Sequence, residues 1–164
     1  MASNVPVIKQ IAWISLVPQL LVAGLFIYLF YLLNFPEYLL AGMLAYYLLS
    51  TILRNVVGKW HRIAMKLVKQ QMFLEAVPCF EKSVAFFTKN PWVDKYRFVT
   101  LLSSSRMTYR EMGLCNIAFC YSQIGEGLKS KTYYLQVLAE YPNNGLAIAG
   151  LNALEAGKGD SSGK

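Results

Sequence analysis

The sequence predicts an all-α protein in two parts, a membrane-crossing helical hairpin followed by an array of shorter amphipathic helices. Three observations lead there. Residues 11–53, "IAWISLVPQLLVAGLFIYLFYLLNFPEYLLAGMLAYYLLSTIL", carry a single charge, that of Glu37. Beyond Arg54 the apolar residues recur at three- and four-residue steps, the period of a helix with one buried face. The whole chain of 164 residues is 55% hydrophobic and 15% charged, with a mean hydropathy of +0.36, too apolar for an ordinary soluble domain of its size.

The hairpin comes first. A spanning helix needs roughly 20 apolar residues, so the block is long enough for two helices and too long for one. "NFPE", Asn34 to Glu37, joins a turn former, a proline suited to a first helical turn and the one acid, and marks the break. The expected helices run over about 7–33 and 36–56, within a hairpin domain over 1–56. A cleaved signal peptide is a poorer account: the basic end has only Lys9, the apolar run exceeds a signal core, and no small-x-small site follows. Trp13 and Trp60 flank the block and Tyr28, Tyr31 and Tyr38 gather near the turn, as interface-seeking aromatics do. Pro18 is expected to kink the first helix. Ala41 and Ala45, with Gly42 beside them, are expected to let the helix backbones approach closely.

Orientation follows from the cations. Arg54, Lys59, Arg62, Lys66 and Lys69 follow the second helix with no acid before Glu75, Lys9 precedes the first, and the turn has no cation. The positive-inside bias places both termini in the cytoplasm, in a two-pass integral membrane protein. These five residues form a basic cluster expected at the membrane surface, where anionic lipid headgroups are partners and nucleic acid is not. Three cysteines, an odd number, fit a reducing compartment.

Two helical hairpins are expected next. Val57, Trp60, Ile63, Ala64 and Leu67 make one apolar stripe and Phe73, Ala76, Val77, Phe80 and Val84 another, across a turn near residues 70–72. Further on, Thr108 and Glu111 are spaced as a capping box that starts a helix. Its apolar face is Leu114, Ile117, Ala118, Tyr121 and Ile124, and Gly125 and Gly127 break it. The partner helix carries Leu128, Tyr134, Val137, Leu138 and Tyr141 and stops at Pro142.

These residues carry a resemblance to the tetratricopeptide repeat (TPR) family, whose signature of about 34 residues reads W-x2-L-G-x2-Y, a turn glycine, A-x3-F and a late proline. In the second unit Leu114, Ile117, Ala118, Tyr121, Gly125, Ser130, Tyr134, Val137 and Pro142 fall in those slots; in the first, Trp60, Ile63, Ala64, Leu67, Ala76, Phe80 and Ser83 do. The resemblance implies a short TPR-like α-solenoid over 57–156, with repeats at about 57–90 and 111–144. It places small Ala64, Ala76, Ala118 and Ser130 where helices cross closely. The first unit departs from the pattern in having Gln71 in place of the turn glycine and Pro78 inside its second helix. Residues 91–110, opened by Asn90 and Pro91, are an insertion that reads as a further helix, with a strand open as the alternative over "KYRFVT". "GLAIAGLNALEAG" reads as a capping helix over 145–156, and 157–164 as a disordered tail.

In the family the first helix of each hairpin lines a concave face that binds a peptide or a partner's helix. By slot, the resemblance puts His61, Met65, Val68, Met112, Cys115, Phe119 and Gln123 on that protein-binding groove. The family's clamp for a terminal carboxylate wants lysine and asparagine where His61 and Met65 stand, so that ligand is not expected. No reactive centre is legible. His61 has no nearby acid, Cys115 and Cys120 are misaligned for a shared metal on one helix, and Cys79 has no paired ligand. No enzyme activity, cofactor, metal or small-molecule substrate is expected. The expected function is that of a membrane-anchored TPR adaptor or scaffold, binding a protein partner or a second copy of itself at the cytoplasmic face. The alternative is a structural or assembly subunit that joins a larger membrane complex through its hairpin.

Overall fold

The computed structural model describes residues 13–161, and the described chain is all-α, with no strand. A 3-10 turn, Trp13–Ser15, leads into α1 (Leu16–Leu32) and α2 (Tyr38–Val56). Then come α3 (Lys59–Lys69), α4 (Phe73–Lys89), α5 (Pro91–Lys95), α6 (Arg97–Thr100), α7 (Tyr109–Gln123), α8 (Gly127–Glu140) and α9 (Gly145–Ser161). Two compact units result: residues up to Val57 with Lys95–Thr108, and Gly58–Asp94 with the chain from Tyr109 on. Most of the expected insertion therefore groups with the N-terminal helices and not with the helical array.

In the first unit, α1 and α2 pack along their length. Of the expected start of the first helix, residues 7–12 lie outside the described residues, and the α-helix proper begins at Leu16. Pro18 stands in its first turn, where backbone N–H groups have no intrahelical acceptor, so the ring removes no bond. The reversal is built by α1's own C-terminus. Asn34 takes the left-handed conformation at φ 51°, its N–H donates to the Tyr31 carbonyl at 3.0 Å, and the Phe35 N–H donates to the Phe30 carbonyl at 3.1 Å. This is a Schellman cap, and its usual apolar contact is present as an edge-on pair of the Phe30 and Phe35 rings, 5.6 Å apart. Asparagine is the residue other than glycine that best tolerates that backbone. Pro36 and Glu37 complete the turn, and α2 starts two residues later than expected.

The close approach of the two helices is made by Gly42 and not by Ala41 and Ala45. A Cβ at Gly42 would stand 2.6 Å from the Ile27 Cα, whereas both alanines are half-buried. By length and composition α2, with 19 residues, is the one described helix fit to cross a membrane. α1 has 17 and falls short, so the described helices support one crossing by this measure, not the expected two.

In the second unit, each of α3, α4, α7, α8 and α9 packs on the next in that order, and α7 also touches α3 and α9. The reason is the helical apolar period: Val68, Ala76, Phe80, Phe87, Leu114, Ile117, Ala118 and Val137 are all buried between helices. On α3, however, the buried face is His61, Ala64 and Val68, and of the expected stripe there Trp60 is exposed and Ile63 and Leu67 are half-buried. Ala64, Ala76, Ala118 and Ser130 are fully buried, and no larger side chain fits where helices meet so closely. Gly113 serves the same end, since a Cβ there would stand 2.6 Å from Val84 Cγ2.

Both tight turns use one geometry. Gln71 (φ 61°) and Gly125 (φ 80°) each take the left-handed position. The Met72 N–H donates to the Leu67 carbonyl and the Glu126 N–H to the Tyr121 carbonyl, both at 3.0 Å. Gln71 thus does the work of the glycine it replaces, at a conformational cost of about 1 kcal/mol. Pro78 lies inside α4 beyond its first turn. The carbonyl it leaves without a helical donor belongs to Leu74 on the exposed side, where water can reach it.

The insertion forms two short helices, α5 and α6, and an irregular stretch, with no strand over "KYRFVT". The last helix runs on to Ser161, past the expected end at 156, so residues 157–161 of the expected disordered tail are helical. Residues 162–164 lie outside the described residues.

Candidate functional site

The basic cluster divides in two. Lys59, Arg62, Lys66 and Lys69 are exposed and spaced three, four and three apart on α3, which sets them on one face. The opposite face carries buried His61, Ala64 and Val68. Trp60 adjoins the stripe with two ammonium groups near its ring, Lys59 Nζ at 5.7 Å and Lys82 Nζ at 4.4 Å from the centroid, a cation–π arrangement. Arg54, at the last turn of α2, belongs to the other unit. Its Nε donates to the Leu101 carbonyl at 3.3 Å and its Nη2 to the Leu102 carbonyl. Its guanidinium is therefore engaged in holding a loop, a role its sequence position does not announce.

The expected groove residues also divide. Met65, Met112 and Phe119 are half-buried and Gln123 is exposed, as a lining requires. Phe119 meets the Phe73 ring edge-on at 5.9 Å, and Asn116 Nδ2 lies 3.6 Å from Met65 Sδ. His61, Val68 and Cys115, by contrast, are buried in the packing of the array, and the expectation that they line an open groove is corrected. The physical reason is that α4 and α7 cover the face of α3 that carries His61, through Phe80 and Tyr109, while Cys115 on α7 is closed off beside Asn144 at the start of α9.

His61 is the most unusual of these. Its ring packs edge-on against Phe80 at 5.4 Å and Tyr109 at 5.3 Å, and Tyr109 stacks in turn on Phe87 at 4.9 Å. Nδ1 is buried without a hydrogen-bond partner. Burial lowers its pKa to about 4, because an imidazolium in an aromatic box loses its hydration and gains nothing. A neutral, sequestered histidine is core, not a proton shuttle.

The thiols are equally quiet. Burial and the negative charge of Glu111 push Cys115 up to about 12, against a small opposing effect of its S–H bond to Asn144 Oδ1 at 3.7 Å. Burial alone pushes Cys120 up to about 12. Both thiols therefore stay protonated at neutral pH. Among the described residues no three His, Cys, Asp or Glu side chains stand together as metal ligands.

Two polar residues that the sequence did not single out organise the array. Asp94, buried, accepts from the Tyr109 N–H at 2.7 Å and from the Arg110 N–H at 2.9 Å, one through each carboxylate oxygen. It caps α7 from well upstream in the chain, beside the expected capping box. Asn144 donates to Glu111 Oε1 at 2.8 Å and accepts from the Ala147 N–H at 2.8 Å, so it caps α9 and ties it to α7. Asp94 sits in a segment without periodicity, and only the fold reveals its partner. Asn144, just past Pro142 and before an apolar run, carried a legible capping signal.

No family model, no curated protein and no solved structure matches this chain.

Proposed function

We propose that this protein is a membrane-anchored adaptor of TPR type, holding a protein partner at the cytoplasmic face of a bilayer. The observation that carries the anchoring is the inverted burial of α1 and α2. Leu20 and Leu21 are each 70% exposed and Leu40 66%, as are most of the large apolar side chains on the two helices, the rest being half-buried and none buried. Their buried residues are Gln19, Gly42 and Ser50. In water such a surface is untenable; in lipid it is the expected arrangement, with small and polar residues between the helices and apolar ones outside. α1 with its leading 3-10 turn rises about 31 Å and α2 about 28 Å, close to the roughly 30 Å of a bilayer core, which supports a second crossing. The cations of α3 directly after α2 favour cytoplasmic termini and contact with anionic headgroups.

The repeat reading is supported by the serial packing of α3, α4, α7, α8 and α9, by the matched left-handed turns at Gln71 and Gly125, and by the four fully buried small residues. The binding surface is then the edge formed by Met65, Met112, Phe119 and Gln123. No chemistry is assigned to it.

A second reading, an assembly subunit whose hairpin makes the main contacts, is favoured by one observation: burial of His61, Val68 and Cys115 leaves a narrow groove. Crosslinking mass spectrometry in native membranes separates the two. An adaptor keeps its crosslinked partner when the hairpin is exchanged for an unrelated one and loses it with Met65→Glu plus Phe119→Glu. An assembly subunit shows the reverse.

A further inference from the structure

Residues 95–108, the greater part of the segment 91–110 read from sequence as an insertion between repeats, group with the N-terminal helices. α6 packs on α1. From the last turn of α2, Arg54 donates to the carbonyls of Leu101 and Leu102, and Leu102 is held in the left-handed conformation at φ 47°. Arg97 holds the rest of the loop, its Nε donating to the Ser105 carbonyl at 3.0 Å and its Nη2 to the Arg106 carbonyl at 2.6 Å. Two guanidinium groups thus satisfy four carbonyls of the irregular stretch, those of Leu101, Leu102, Ser105 and Arg106, the condition for irregular backbone to sit near a membrane. Leu101 and Leu102 are buried beneath them.

The outer side of this segment has a different character. Tyr96 is 54% and Val99 52% exposed, one turn apart, and Lys95 and Arg106 are exposed near them in sequence. Between residues 95 and 108 there are three cations and no acid. An exposed tyrosine and valine among cations, fastened to the end of an apolar hairpin, match the headgroup zone of an anionic leaflet, where aromatic rings and basic side chains are both favoured.

We infer that residues 95–108 form a collar on the cytoplasmic leaflet, with Tyr96 and Val99 in the headgroup region of the bilayer that holds α1 and α2. The inference rests on the membrane reading of the hairpin. The collar gives the anchor a third lipid contact and fixes the depth at which α2 ends. Its occupant is the anionic phospholipid surface; exposed Lys95 and Arg106, with no acid in the segment, and the packing of α6 on apolar α1 select it over a protein partner.

The test places an environment-sensitive nitrobenzoxadiazole label on the full chain, in a Cys79→Ser background, in vesicles of phosphatidylcholine and phosphatidylserine. Single sites are Val99→Cys in the collar, Leu40→Cys in α2 and Gln136→Cys on exposed α8, read with doxyl-lipid quenchers. With the collar in the headgroup zone, the label at 99 shifts to the blue and is quenched about twofold by a doxyl group near the ester end of the lipid, that at 40 is also quenched, and that at 136 is not. Quenching at 40 with none at 99 overturns the collar and leaves the membrane hairpin standing. No quenching at 40 overturns both.

Discussion

The hairpin α1–α2 and the array α3–α4–α7–α8–α9 are built from the same backbone element with opposite surfaces. In the array Phe80, Phe87 and Leu114 are buried while the α3 cations face out. In the hairpin most of the large apolar residues face out, the buried residues are Gln19, Gly42 and Ser50, and Gly42 lies against Ile27 of the facing helix. The reversal identifies the force at work in each. The array is held by removal of apolar surface from water. On the proposed membrane reading the hairpin gains little that way and depends on close backbone approach at Gly42 and on its Schellman turn.

The comparison can be broken most severely in the array. Phe80→Ala removes a fully buried ring, and a loss of about 3–5 kcal/mol is expected in chemical denaturation followed by circular dichroism. A change of less than about 1 kcal/mol there would mean that the array does not rely on its apolar core.

Acid acts on the same core. His61 has an ordinary pKa of 6.5 in the unfolded chain and about 4 in the fold. Between those values the unfolded state binds the extra proton, so stability is complete above about pH 6.5 and falls as the pH drops towards 4, by about 3 kcal/mol at the lower limit. His61→Phe, which keeps the aromatic box without a titratable group, flattens this part of the pH–stability profile, and an unchanged slope in the variant would assign the acid sensitivity to other groups.

In the hairpin the decisive volume is a single methyl group. Gly42→Ala forces the Ile27 backbone away and is expected to lower the thermal midpoint in micelles, by the equivalent of about 1–3 kcal/mol. Gly24→Ala, where an added Cβ meets nothing within 4 Å, serves as the control and leaves the midpoint unchanged or higher. Equal responses at the two sites would remove Gly42 from the interface.

The smallest effect compares the two turns of the array. Gln71→Gly relieves a left-handed glutamine and is expected to stabilise by about 0.5–1 kcal/mol, while Gly125→Ala introduces the same strain and destabilises by about 1–2 kcal/mol. The opposite signs, read as urea midpoints, test whether the turns are equivalent.

Much of this was legible in the residues. The break at "NFPE" and the apolar period of most of the array follow from local rules, because helix period and turn chemistry act over a few positions, while the small residues at the crossings and the turn position at residue 71 were what the repeat resemblance implied. The groove was legible only by halves. The repeat resemblance placed His61, Val68 and Cys115 on one lining with Met65, Met112 and Phe119, but the burial of each depends on neighbours that a slot does not specify.

By itself, then, the sequence determined that the chain is helical, where its long apolar block turns back, and which positions demand small side chains. Only the tertiary structure decided that Arg54 and Arg97 spend their charge on loop carbonyls, that Asp94 caps α7, that Gly42 and not the alanines makes the closest contact, and that residues 95–108 belong with the hairpin. Each of these depends on a partner distant in the chain, and a local pattern carries no record of which distant group folding will bring to it.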